Sequence, residues 1–165
     1  MRRAGTALTT APYVSGIHQQ LNQSFNMESN YIFLPVIVQV ALTLCLYIYL
    51  VIAKSRAVKL GEVDETRRAL HDDAWPDSVL QINNCIRNQF EIPLLFYVLI
   101  GILWGVGGVN VYVHAAAWIF VLSRIGHALI HTGSNYVPLR RKFFMVGSFI
   151  LLGLTVVSAY KIMAV

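Results

Sequence analysis

The stretch Asn84-Cys85-Ile86-Arg87-Asn88-Gln89-Phe90-Glu91-Ile92-Pro93 opens onto a long apolar run, residues 92–109, that carries no charge. Read as a helix, Asn84, Arg87, Asn88 and Glu91 follow the i, i+3, i+4, i+7 spacing and share one face. That face stands where a helix passes from water into hydrocarbon. Ionisable groups in such a place are costly unless paired or given a ligand, so they are functional candidates. The stretch therefore decides two things together, a membrane fold and half of a binding site.

Composition agrees with the first. Of 165 residues, 56% are hydrophobic and only 13% are charged, and mean hydropathy is +0.59. A soluble domain carries roughly 25% charged residues. The length suits one domain of a few spans. The formal net charge is +5, but the cations gather at the ends of apolar runs, where they set topology, and no nucleic-acid partner is expected. Cys45 and Cys85 give neither zinc spacing nor a disulfide framework, and both are expected to be buried structural thiols.

Working outward, four apolar runs predict an all-α membrane protein, a bundle of four transmembrane helices spanning residues 31–165. Residues 1–30 are polar and lack the apolar core of a signal peptide, so they are expected to form a disordered extension. The first span is expected over Tyr31 to Ala53, with Gln39 hydrogen-bonded to another helix. A solvated loop of mixed charge follows, residues 54–78. Its His71-Asp72-Asp73 run does not converge as metal ligands, and no metal site is expected. The second helix is expected from Asp77 or Ser78, either of which can cap it, to Gly105, bent at Pro93. Gly107-Gly108-Val109-Asn110 forms an uncharged turn.

The third span, expected over Val111 to Ile130, carries a second polar stripe, Arg124, His127, His131 and Asn135. An arginine inside a span must face the interior and find an anion, and Glu91 is its expected partner. His114 falls off the stripe and is expected to make a structural contact. The last span is expected over Phe143 to Val165, with Pro138 in the first turn of the helix. Arg140 and Arg141 then stand at a helix start, where free amides favour an anion. The same cations, with Lys142, also suit headgroup anchoring, and spacing does not separate the two. Loop charges place loops 54–78 and 131–142 on the cytoplasmic side and both termini on the other.

Two arginines, a carboxylate and amides suit a small zwitterionic ligand bearing carboxylates. An arginine beside a ligand thiol would also raise its thiolate fraction. A purely structural reading stands beside this one: Glu91 pairs with Arg124 or Arg87 to lock the helices of a non-catalytic membrane subunit or binding protein, with Arg124 and Asn84 in its buried polar network. A channel or transporter is a more distant reading, since no repeat or broken-helix pair is visible.

Four spans, the Arg87-Asn88-Gln89-Phe90-Glu91 run and the segment from Arg124-Ile125-Gly126-His127 through Pro138-Leu139-Arg140 resemble the MAPEG family, the membrane-associated proteins in eicosanoid and glutathione metabolism. That family includes microsomal glutathione transferases and a microsomal prostaglandin E synthase. The resemblance covers residues 31–165. It implies a homotrimer in the membrane, with glutathione as co-substrate and a lipophilic electrophile or hydroperoxide as acceptor. It further implies that Arg87, Asn88, Glu91 and His127 hold glutathione, with His131 and Arg141 at neighbouring positions of the same site. Arg140 would stabilise the thiolate, and Arg56 would approach from a neighbouring subunit. Five positions depart from the resemblance: Asn84-Cys85 stands for the usual Arg-Ala, His131 and Phe144 stand for tyrosines, and Arg141 stands where the prostaglandin synthase has a serine.

Overall fold

A computed structural model describes residues 29–164 of the chain. The expected extension, residues 1–30, lies outside them except for its last two residues. Among the described residues there is no strand, and four helices are long and apolar enough to cross a membrane. The chain is an all-α, multi-pass membrane protein.

Helix α1, Phe33–Leu60, has 28 residues, about 42 Å of rise. It runs past the expected end at Ala53 because nothing breaks it before Gly61, whose φ of 69° ends the helix in a left-handed turn. Lys54, Arg56 and Lys59 are thus carried out of the hydrocarbon on the helix itself. The following loop folds back on the bundle. Asp64 N–H donates to the Ala74 carbonyl (3.1 Å), and Lys54 Nζ lies 4.6 Å from the Trp75 ring centre. Ion pairs Arg67–Asp73 (2.7 Å) and Arg68–Glu65 (2.9 Å) stay on the solvated surface.

The second span is two helices, α2 (Asp77–Gln89) and α3 (Ile92–Gly105). Pro76 occupies the capping position, so Asp77 contributes a first-turn carboxylate and neither it nor Ser78 caps. The expected bend at Pro93 is a break at Phe90 and Glu91, where Glu91 has φ −94° and ψ −89°. Proline has no N–H to give Gln89, and its ring crowds that carbonyl.

Asn110 caps α4 (Val111–Thr132), accepting from the amides of Tyr112 and Val113 at 3.0 Å each. Helix α5 (Val137–Met163) begins six residues before the expected span because Pro138 fits its first turn.

Helices α4 and α5 pack most closely. Gly126 lies under the Phe143 ring, where a Cβ would stand 2.5 Å from the nearest ring carbon. At one end of the bundle Phe96 and Phe120 stack with centroids 4.4 Å apart, among Ile100, Leu103, Ala117 and Leu151. At the other end Leu46, Leu50, Ile82, Ile86 and Ala128 form a second core. Outward apolar side chains such as Ile37 and Val51, both more than 60% exposed, fit hydrocarbon rather than water.

Candidate functional site

The inward stripe of α4 forms as its spacing predicts. Arg124, His127 and His131 are all buried, with Arg124 fully so. The ring of His131 meets His127 edge-on at 5.4 Å, and Phe144 of α5 lies 6.0 Å from His127. The Arg124 guanidinium sits 5.8 Å from the same Phe144 ring.

The start of α5 closes on this stripe. His127 Nδ1 lies 3.2 Å from the main-chain carbonyl of Arg140. A carbonyl only accepts, so the Nδ1 of His127 carries the proton and its Nε2 is left as an acceptor. That Nε2 is buried and has no partner among the described residues. The Arg140 side chain is half-buried and donates to Asn135 Oδ1 at 2.5 Å. Asn135 adopts φ 51°, a left-handed conformation that asparagine tolerates, and its N–H donates to the Ile130 carbonyl (2.7 Å), which ends α4. A cavity of about 290 Å³ opens here, lined by Asn88, His127, Val137, Arg140, Arg141 and Phe144. Asn88 of α2 thus joins residues of α4 and α5 in one concave site.

The other members of the α2 stripe lie elsewhere. Asn84, Arg87 and Glu91 are exposed on the outer face of the chain. Arg87 pairs with Asp72 of the loop. Glu91 does not pair with Arg124, contrary to expectation, because the helix breaks at Phe90 and releases Glu91 outward. All three guanidinium nitrogens of Arg124 are buried without a partner among the described residues. Among the described residues Arg124 makes no hydrogen bond to Asn84. Arg56 lines a separate cavity of about 330 Å³ between α1 and α2, beside Tyr49, Glu62 and Ser78.

A buried pair joins the first two spans instead: Gln39 Nε2 donates to Gln89 Oε1 at 2.9 Å. The bond expected of Gln39 is made, but its partner was overlooked. The signal was present, because Gln89 continues the Val79, Ile82, Ile86 spacing that faces the core. Cys85 is buried as expected and Cys45 is exposed on the apolar surface of α1, correcting its expected burial. His114 is half-buried near the start of α4. Among the described residues no three His, Cys, Asp or Glu side chains are grouped to hold a metal.

Two elements on the solvated loop have shifted acidities. The Thr66 hydroxyl, donating at 2.7 Å, holds the Asp64 carboxyl below the usual carboxylate range. The Arg67 guanidinium does the same to Asp73.

Comparison with known families gives one match, the MAPEG family, over residues 32–160. Neither curated proteins nor solved structures yielded a match.

Proposed function

The chain belongs to the MAPEG family of membrane proteins, and from that premise we propose that it is a glutathione-dependent membrane enzyme, of transferase or peroxidase type. The observation that carries the proposal is the cavity at the start of α5, where Arg140, Arg141, His127 and Asn88 converge. The donor set fits a small ligand with carboxylates, an amide backbone and a thiol. Arginines fork onto carboxylates, Asn88 both donates and accepts, and the unpartnered His127 Nε2 accepts from an N–H.

Glutathione would supply a thiol that, once deprotonated, would add to a lipophilic electrophile or displace its leaving group. With a hydroperoxide it would take the outer oxygen, releasing the alcohol and leaving a sulfenic acid that a second glutathione converts to the disulfide and water. The chain's own residues prepare that step. Arg140 favours the thiolate by its charge. Its side chain is oriented by Asn135, and its carbonyl fixes the tautomer of His127. Arg141 adds a second cation at the same helix start, where the dipole also favours an anion. Phe144 supplies an apolar wall of the cavity, against which a lipophilic acceptor would rest. Arg87 and Glu91 face outward on the chain, and Arg56 lines a different cavity. In this reading they reach the ligand only across a subunit boundary, which a homotrimer provides. The site would face the cytoplasm.

One observation favours a second reading, that of a non-catalytic membrane subunit or binding protein. Arg140 is already engaged within the chain, its guanidinium by Asn135 and its main-chain carbonyl by His127 Nδ1. Conjugation of glutathione to a generic electrophile, measured for the wild type and Arg140→Ala, separates the two. A rate at least tenfold lower in the variant supports the enzyme. Equal rates, or none above background in either, support the second reading.

A further inference from the structure

At the membrane boundary away from the candidate site, a groove of about 370 Å³ runs between α4 and α5. Val113 and Ala116 of α4 face Ile150, Leu154 and Val157 of α5 across it. Gly153 lies along the groove, and nothing stands within 4 Å of the place a Cβ would take. The groove is therefore open at mid-length because a side chain is missing there. Lys161 continues the Gly153–Val157 stripe at i+4 and i+8, which puts it at the groove's outer end. It is the only cation in residues 143–165, and among the described residues it has no ion pair. Its stem rests on the α3–α4 turn at Gly108. Tyr112, 81% exposed, stands at the same end, as tyrosines do at headgroup depth.

We propose that this groove holds one acyl chain of an anionic phospholipid, with Lys161 against its phosphate. The length agrees: the twelve helical steps from Phe149 to Lys161 rise about 18 Å, close to the roughly 15 Å of hydrocarbon in one leaflet. The charge agrees as well. Residues 31–53 and 92–165 contain no Asp or Glu, so an apolar helix of a second copy seated here would bring no acidic side chain to Lys161. A phosphate supplies one.

The test uses the full chain purified in detergent, offered phosphatidylglycerol or phosphatidylcholine and examined by native mass spectrometry. The expected result is one phosphatidylglycerol retained per chain, about fivefold in preference to phosphatidylcholine, the factor one cation contributes at an anionic surface. Lys161→Gln removes that preference while leaving retention of phosphatidylcholine unchanged. Gly153→Leu, which fills the groove, lowers retention of both lipids. Equal retention of the two lipids by the wild type and Lys161→Gln overturns the proposal. So does a Gly153→Leu variant that keeps its lipid but loses its oligomeric state, since the groove would then hold a second copy.

Discussion

His127 of α4 and Arg140 of α5 are joined through the ring Nδ1 of one and the main-chain carbonyl of the other, 3.2 Å apart. This bond ties the buried stripe of the third span to the first turn of the fourth. It also leaves the Arg140 guanidinium outside the bond, aimed by Asn135 at the cavity. His127→Leu removes the tie without emptying the space. Thermal unfolding in detergent is expected to show a loss of about 1 kcal/mol, the usual range for an interhelical hydrogen bond in membranes. No loss would mean that the two helices hold their register without it.

Gly126 and Gly101 make opposite predictions for the same kind of substitution. A Cβ at Gly126 would meet the Phe143 ring at 2.5 Å, whereas nothing lies within 4 Å of one at Gly101. Gly126→Ala is expected to destabilise by about 1–3 kcal/mol through overpacking. Gly101→Ala is expected to be neutral or to stabilise by up to about 1 kcal/mol through helix propensity. Melting curves of the two variants check this directly, and a reversal of their order would contradict the packing described for α4 and α5.

The Gln39–Gln89 bond joins two buried amides. Replacing one by leucine leaves the other without its partner, while replacing both removes the problem. Gln39→Leu and Gln89→Leu are each expected to lower stability by about 1 kcal/mol, and the double variant by less than their sum. Additive losses in a double-mutant cycle would show that the two side chains do not interact.

Arg124 is a buried cation whose nitrogens have no partner among the described residues. Arg124→Leu removes no hydrogen bond made among the described residues, only a distant contact with the Phe144 ring, and relieves a desolvation cost. Unfolding of the ligand-free protein is therefore expected to be unchanged or shifted upward in temperature. A fall equivalent to about 3 kcal/mol or more, the loss seen when a buried pair is broken, would mean that an anion from another chain is paired with it.

The loop acids give a pH dependence. Asp64 and Asp73 are both held below their ordinary 3.8 in the folded loop. A depressed folded value contributes stability above the unfolded pKa and loses it as pH falls through the folded one. Proteolytic nicking within residues 61–76 is thus expected to rise below about pH 4, less so in Thr66→Ala, which already lacks the hydroxyl bond. A pH-independent cleavage rate would contradict the role given to these pairs.

Much of this was legible in the sequence. Four charge-poor runs force four spans, and Pro138 and Gly61 behave as proline and glycine do at helix ends. The burial of Arg124, His127 and His131 follows from their shared helix face together with the cost of a cation facing hydrocarbon. The α2 stripe was misread for a physical reason. Asn84 and Arg87 lie opposite the buried face of α2 that Val79, Ile82, Cys85 and Ile86 form, so they turn outward while Asn88 stays at the edge of the cavity, and the break ahead of Pro93 releases Glu91. Gln89 was passed over because a polar residue within a polar stretch looks unremarkable until its register with Val79, Ile82 and Ile86 is traced. Residues 54–60, expected in the loop, are helical because lysines and arginines continue a helix readily and Gly61 ends it.

The most direct test of the account is titration calorimetry of the purified, detergent-solubilised chain with reduced glutathione, in wild type and Arg140→Ala. The account predicts saturable binding by the wild type, weakened at least tenfold by the substitution, with the fold of the variant intact by circular dichroism. An absence of heat with millimolar glutathione, or equal affinities in the two proteins, would contradict it.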